Sequence, residues 1–405
     1  MGEDEEWRDN REFPHVVPVD NGLLDPVTGD LYQHNPTFFS TRKIHATWNP
    51  DLLDDDEFYT AFRNSPCGDF LDEIFADKPE ADDGPTQKDL LQEMFGYLLF
   101  GDNRLQKGFV IIGPQRSGKG TINKLLSHLL GSTACAPKTR SLASQFGAQG
   151  LLDKRLATVT DARIDPKTNF GDLAELLLSI TGDDPQDVER KFLTTITVKM
   201  MVRFLLLSNA LPHLRDPQGV LADRFVYLET AVSFLGKENL SLFDELVAHN
   251  SLWLAWALRG YQTLHNKGAK AKFSSTSTHE RLSDEAKAEM APIKTFADRF
   301  LVRDTNGVID TDHIHLAFLD WAETIGIASW PKNKLNARLR KDFRGLRIAQ
   351  KVVPVITTPF DNDPYFSTVE TVKRRCFVGF RWAEGKEPTA AQIVEWKENN
   401  SDELN

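Results

Sequence analysis

Cysteine is scarce in this chain. Cys67, Cys135 and Cys376 are the only three among 405 residues, odd in number and scattered. They exclude a disulfide framework and offer no zinc-ligand spacing, so a reducing compartment is expected. Long apolar runs are missing too. No stretch approaches the roughly 20 residues of a membrane-spanning helix, so no membrane partner is expected. The first residues, MGEDEEWRDN, are acidic and polar, unlike a secretory signal or a transit peptide, and the expected location is the cytoplasm. No internal repeat is visible.

Positive charge is also in the minority, with a formal net charge of −11. That balance argues at first against a nucleic-acid partner, but its distribution is uneven. Residues 1–100 carry 23 acidic and 7 basic side chains, whereas residues 101–230 carry 13 acidic and 17 basic ones. Residues 290–386 carry 11 acidic and 16 basic. Two segments remain free to meet phosphates.

The most specific motif is GPQRSGKGT, residues 113–121, directly after the apolar run Gly108–Ile112. A buried strand, a glycine-rich loop of the form G-x-x-x-x-G-K and an amphipathic helix (INKLLSHLL, 122–130) are predicted in succession. Glycines let backbone N–H groups turn toward a phosphate, the helix N-terminus adds positive potential, and a lysine reaches the terminal phosphates. Gly113, Pro114, Gln115, Arg116, Ser117, Gly118, Lys119, Gly120 and Thr121 are therefore the candidate nucleotide-binding residues. Gly120 stands where a hydroxyl that holds Mg²⁺ is usual, which displaces that role to Thr121. Nucleoside monophosphate kinases also carry GKGT, so the loop alone does not choose the reaction.

Four further parts of an ATPase site are sought downstream. The strand RLATVT (155–160) ends at Asp161, a candidate carboxylate for metal and water, with Asp165 as second choice. The strand RFLLLS (203–208) ends at Asn209, a candidate γ-phosphate sensor. Arg224, before the apolar run 225–228, is a candidate for stabilising charge on a neighbouring subunit's nucleotide. Between the carboxylate and sensor strands, the segment 181–192 followed by the β-branched, alternating 194–199 reads as a hairpin carrying Arg190, Lys191 and Lys199. Each has a blander alternative: a turn Asp, a turn Asn, an intramolecular ion pair, a solvated edge hairpin. Farther on, Lys334, Arg338, Arg340, Lys341, Arg344 and Arg347 crowd a stretch with Asp342 as its one acid. Leu335, Leu339, Phe343 and Leu346 recur there at helical spacing, so a basic helix followed by strands is expected, with a DNA backbone as partner.

This order of motifs resembles the superfamily 3 helicases, and more closely the helicase part of phage, plasmid and poxvirus-type primase-helicases. The similarity extends to DNGLLDPVTGD (20–30), WNP (48–50), LLQEMFGYLL (90–99), the helical segment ending WALRG (256–260), APIKTF (291–296) and VGF (378–380). It covers about residues 15–385. It implies an α/β fold: an AAA+-like P-loop NTPase core at 101–235, preceded by an α+β collar region at 1–100. A helical lid and linker would follow at 236–290, then a winged-helix DNA-binding domain at 291–388 and a polar tail at 389–405. By resemblance Lys119 takes the phosphate role, Asp161 the Walker B role, Asn209 the sensor and Arg224 the arginine finger. Arg190, Lys191 and Lys199 fall on or near the DNA-contacting hairpin.

The implied function is ATP-dependent DNA unwinding or translocation for replication of a phage, plasmid or other mobile element in a bacterial host. Its cofactors would be ATP and Mg²⁺, its substrate single-stranded or forked DNA, and its working form a homo-oligomer, by resemblance a hexameric ring. No separate primase domain has room in the chain, so a separate primase or polymerase is an expected partner. Two alternatives stay open: a nucleotide kinase, and a DNA-binding replication or packaging factor in which ATP is only a structural switch.

Overall fold

The computed structural model describes residues 16–35, 38, 40, 42–75, 84–101, 103–160, 170–212, 214, 216, 219–325, 327, 329–343, 346–357, 368–389 and 392–393. The chain divides into two compact units. One comprises Met1–Arg215 with Val220–Ala286; the other comprises Asp216–Gly219 with Lys287–Asn405.

The first unit begins with a small antiparallel sheet, β1 (Val17–Val19), β2 (Gly22–Leu24) and β3 (Leu31–Tyr32). The DPVTGD turn between β2 and β3 is tied by Asp25, whose carboxylate accepts from Val27 N at 2.8 Å. Three helices follow: α1 (Asp55–Arg63), α2 (Pro66–Ile74) and α3 (Gln87–Leu99). Each has its side-chain cap at the start, from Asp54, Ser65 and Thr86, and Thr86 with Asp89 forms a full capping box.

Then come β4 (Gly108–Ile112), α4 (Lys119–Leu130), β5 (Ala134–Cys135), the short α5 (Thr139–Leu142), β6 (Leu156–Thr160) and α6 (Phe170–Thr181). A hairpin, β7 (Gln186–Arg190) and β8 (Leu193–Val198), leads to β9 (Arg203–Ser208), α7 (Val220–Asp223) and β10 (Phe225–Glu229). The central sheet has the order β10-β4-β9-β6-β5, and every pair in it is parallel. Strands β4 and β9 within it are largely apolar runs buried along their length, the pattern of parallel strands packed on both faces.

Helices α8 (Leu242–Ala248) and α9 (Asn250–Asn266) follow the sheet. Helix α9 crosses α3 glycine to glycine. A Cβ on Gly96 would stand 2.2 Å from Tyr261 N, and one on Gly260 would stand 2.0 Å from Gln92 O. Trp253 and Trp256 of α9 pack on Phe62 and Phe95. Such ring pairs are each worth about 0.5–1.5 kcal/mol beyond their buried area.

Residues 267–283, rich in Lys, Ala, Ser and Thr, read from sequence as a linker or exposed helix–loop, and the structure shows a loop leading into a helix. Helix α10 (Ser277–Met290) begins within them and buries Leu282 and Ala286 one turn apart. Thr276 Oγ1 accepts from His279 N at 3.0 Å, and the carboxylate of buried Glu93 gathers Lys267 Nζ, Ser274 N and Ser274 Oγ. Tertiary partners, not apolar periodicity, fix this segment.

The second unit holds α11 (Pro292–Phe300), β11 (Leu301–Asp310), α12 (Thr311–Thr324), α13 (Lys332–Asp342), β12 (Arg347–Thr357) and β13 (Thr368–Trp382). Its antiparallel sheet has the order β11-β13-β12. Phe296, Phe318, Trp321, Leu335, Leu339 and Phe377 make its core. Among the described residues no helix is long and apolar enough to cross a membrane.

Candidate nucleotide site and basic hairpin

Because the central strands are parallel, their C-terminal ends share one edge. Ile112 pairs with Ser208 and Thr160 with Leu207. The glycine-rich loop leaves β4 at Gly113, and Asn209 leaves β9 beside it. Asp161 and Asp165 lie outside the described residues; Thr160, the last residue of β6, ends at this same edge. Ligands of open α/β sheets bind outside the carboxyl ends of the strands.

The loop is built by its own residues and a strap that follows β10. Gly118 has φ 88° and a Cβ there would lie 2.5 Å from Ile74 Cγ2, so both backbone and packing demand glycine. Buried Ser117 shares a 2.6 Å hydroxyl contact with buried Thr230. Ser233 Oγ donates to Gln115 O at 2.7 Å and Phe234 N donates to Arg116 O at 2.9 Å. Arg116 also faces Glu238 at 3.5 Å. Pro114, Gln115, Arg116 and Gly120 remain exposed.

Lys119 opens α4 and is almost wholly buried. Its Nζ donates to Gly113 O at 2.7 Å, Pro114 O at 2.6 Å and Ser117 Oγ at 3.1 Å. Among the described residues none of these partners carries a charge. Burial pushes its pKa below the ordinary lysine value, so the fold disfavours the charged form. A buried ammonium at a helix N-terminus, held by neutral oxygens, suits an anion that would supply the missing counter-charge.

Gly120 is different from Gly118. A Cβ at Gly120 meets nothing within 4 Å. Gly120→Ser is therefore expected to fold normally and to gain up to about 0.5 kcal/mol from better helix propensity, checked by thermal unfolding. A clear loss of stability would mean that the helix start is crowded. Thr121 is half-buried in the first turn, where its N–H donates to Gly118 O at 2.9 Å.

Arg224 sits at the opposite edge of the sheet. Its carbonyl accepts from Gly108 N at 2.8 Å, at the start of β4. The loop begins five residues farther along that strand, roughly 16 Å away at the usual rise. The Arg224 guanidinium donates to Gln106 Oε1. Its side chain does not reach the glycine-rich loop of its own chain.

The hairpin β7–β8 turns tightly, Arg190 pairing with Leu193. Lys191 is exposed at the turn, and half-exposed Arg190 folds back to donate from Nε to Thr194 O at 2.9 Å. Lys199, at the foot of the hairpin, pairs with Asp183 at 3.1 Å. Sequence reasoning missed Phe192. It is the second turn residue, 92% exposed, with φ 62°. That left-handed region is costly for an aromatic residue. Lys191 Nζ stands 5.2 Å from its ring centre, and Leu193 beside it is also exposed. The turn thus holds a strained, exposed aromatic next to a cation, the kind of backbone outlier that motivates a functional hypothesis.

In the second unit, Lys334, Arg340 and Lys341 of α13 and Arg347 of β12 are exposed. Lys334 Nζ stands 4.3 Å from the Trp330 ring centre. Arg338 is engaged by Asp342 at 2.6 Å. Arg344 lies outside the described residues.

Comparison with known proteins gives two family matches. Residues 111–224 match a family of unknown function, DUF5906, and residues 3–96 match a family described as D5 N terminal like. No curated protein matches the chain. Among solved structures, the A-form apo structure of the NrS-1 C-terminal region is similar with TM-score 0.49 and 14% identity, over 92% of this chain and 84% of that one. A second A-form apo structure of that region, residues 305–718, gives TM-score 0.41 and 15% identity, over 77% and 74%. A further apo structure of residues 305–718 gives 0.46 and 15%, over 92% and 84%.

Proposed function

We propose that this chain is an ATP-driven motor on single-stranded or forked DNA, of the primase-helicase type used in phage, plasmid or mobile-element replication, and that it works as a ring oligomer. The observation that carries the reading is the buried Lys119, held among the described residues by neutral oxygens alone, in a glycine-rich loop at the carboxyl edge of a parallel sheet, beside Asn209. The match of residues 3–96 to the D5 N terminal like family, just ahead of that loop, supports the same reading.

In this reading backbone N–H groups of 114–119 and Lys119 hold the β- and γ-phosphates of ATP. Bound Mg²⁺ would neutralise phosphate charge, with Thr121 and Asp161 as its protein-side residues. Asn209 orients the attacking water against the γ-phosphate. Arg224, too far from its own loop, acts on a neighbour's nucleotide. Arg190, Lys191 and Lys199 line the DNA path, and the exposed cations of α13 and β12 give a second contact to phosphates, as in a winged helix. The acidic remainder of the surface does not oppose this, because only the channel must attract DNA.

The direct test is ATP hydrolysis by the full chain with and without single-stranded DNA. Stimulation by DNA supports the motor. Hydrolysis that depends instead on an added nucleoside monophosphate, with phosphoryl transfer to it, would replace the motor with a kinase.

The hairpin tip yields a second expectation with opposite signs. Phe192→Gly relieves a left-handed backbone strain of about 1–2 kcal/mol, while removing a ring whose stacking on a base is worth about 1–3 kcal/mol. Thermal stability is expected to rise. The affinity for a fluorescent oligothymidylate, read by anisotropy, is expected to fall on the order of tenfold. Unchanged affinity would take the tip off the DNA path.

A further inference from the structure

The turn before β4 ties two distant parts of the proposed motor together. Gln106, half-buried with φ 52°, lies in it. Its Oε1 accepts from Arg224 Nη1, and its Nε2 donates to Gly182 O at 2.8 Å. The amide orientation follows from its partners, since a guanidinium only donates and a carbonyl only accepts. Gly182 and Asp183 lead into β7, and Lys199 and Met200 leave β8. Asn103, from the same turn, donates to Met200 O at 2.8 Å and lies 3.5 Å from Asp183 Oδ1; Asp183 in turn holds Lys199. Both feet of the basic hairpin are thus fastened to the turn that holds the arginine.

We propose that Gln106 is a positioning residue that couples the hairpin to Arg224. One planar amide has a donor on the hairpin foot and an acceptor on the guanidinium, so a displacement of Gly182 tilts the acceptor that orients Arg224. Movement of the hairpin on DNA then changes where the guanidinium stands relative to the neighbouring subunit. This rests on the reading of Arg224 and of the hairpin given above. The role of Gln106 itself needs only the two bonds on its amide. Neither bond is local in sequence: the partners are 118 and 76 positions away.

Two variants separate coupling from plain structure. Gln106→Glu keeps an oxygen for Arg224 and loses the N–H given to Gly182 O; Gln106→Met loses both at similar size. The readout is the ratio of ATP hydrolysis with saturating oligothymidylate to hydrolysis without it, with oligonucleotide affinity measured separately by anisotropy. In Gln106→Glu the ratio is expected to fall to near one while the chain stays folded by circular dichroism and still binds the oligonucleotide. Gln106→Met is expected to show the same loss of ratio. A ratio within twofold of wild type in both variants, even with lowered thermal stability, overturns the coupling and leaves Gln106 a structural residue. If the wild-type chain itself shows no stimulation by DNA, the motor reading fails first and the coupling with it. Stimulated wild type with stimulated variants sinks the coupling alone.

Discussion

Lys119→Ala is expected to remove DNA-stimulated ATP hydrolysis, lowering the rate by at least about 10²-fold, the size seen when one preorganised charge-stabilising donor is deleted. The expectation comes from where the ammonium sits. It is buried, its partners are two carbonyls and a hydroxyl of its own loop, and burial disfavours its charge. Among the described residues nothing in that arrangement stabilises the fold by charge pairing. The sign is the informative part. A lysine whose folded-state pKa lies below its unfolded value weighs against folding, and that cost is full when pH lies below the folded value and fades as pH rises through it and the group neutralises. Removing the ammonium relieves this cost while surrendering three hydrogen bonds, so stability is expected to change little. Alanine continues the helix well at this position. Loss of hydrolysis in a chain with wild-type thermal unfolding therefore reports on the site. Residual hydrolysis within a few-fold of wild type would mean that the phosphates are held elsewhere.

The loop was legible because every signal for it is local. An apolar run of five, two glycines with a lysine between backbone turns, and a helix of period 3.6 fall within 23 residues. Asn209 could be read for a related reason: a buried apolar run names a central strand, and the next residue falls at a sheet edge. The neighbours of that strand could not be read. The order β10-β4-β9-β6-β5 joins Val110 to Leu206 and to Tyr227 across about a hundred residues, and parallel apolar strands carry no register signal that distinguishes one partner from another.

Phe192 was hidden for the opposite reason. A phenylalanine in a β-branched segment is ordinarily taken for core, and only the backbone angle and the exposure reveal a strained tip. Helix α10 was legible only as one of two alternatives, linker or exposed helix–loop, because its apolar residues are few, and capping by Thr276 and packing of Leu282 replace the missing stripe. In the basic stretch of the second unit, counting cations overstated what is free. Arg338 spends its charge on Asp342 one turn away, which composition records but does not pair.

Arg224→Ala carries the other large expectation, because an arginine finger is worth about 10³–10⁵ in rate. The geometry keeps Arg224 from the glycine-rich loop of its own chain: Arg224 stands by Gly108, and the loop opens at Gly113, at the far end of the strand. A chain that hydrolyses ATP with this arginine must therefore lend it to a neighbour. Two mixing experiments test the loan. Added to wild type, Arg224→Ala subunits are expected to depress hydrolysis, since each one leaves a neighbour's nucleotide unattended. Mixed in equal amounts, Lys119→Ala and Arg224→Ala subunits, each inactive alone, are expected to recover activity. An interface works when its loop comes from the arginine variant and its arginine from the lysine variant, which random assembly provides at about one interface in four. If both groups served one chain, no interface of the mixture would be whole and no activity would return. Native mass of the mixture with ATP distinguishes failure to assemble from failure to complement. A single Arg224→Ala chain that hydrolyses ATP at the wild-type rate would end the inter-subunit reading, whatever the mixture does. Recovery at about a quarter with full assembly has no explanation in which the site belongs to one subunit.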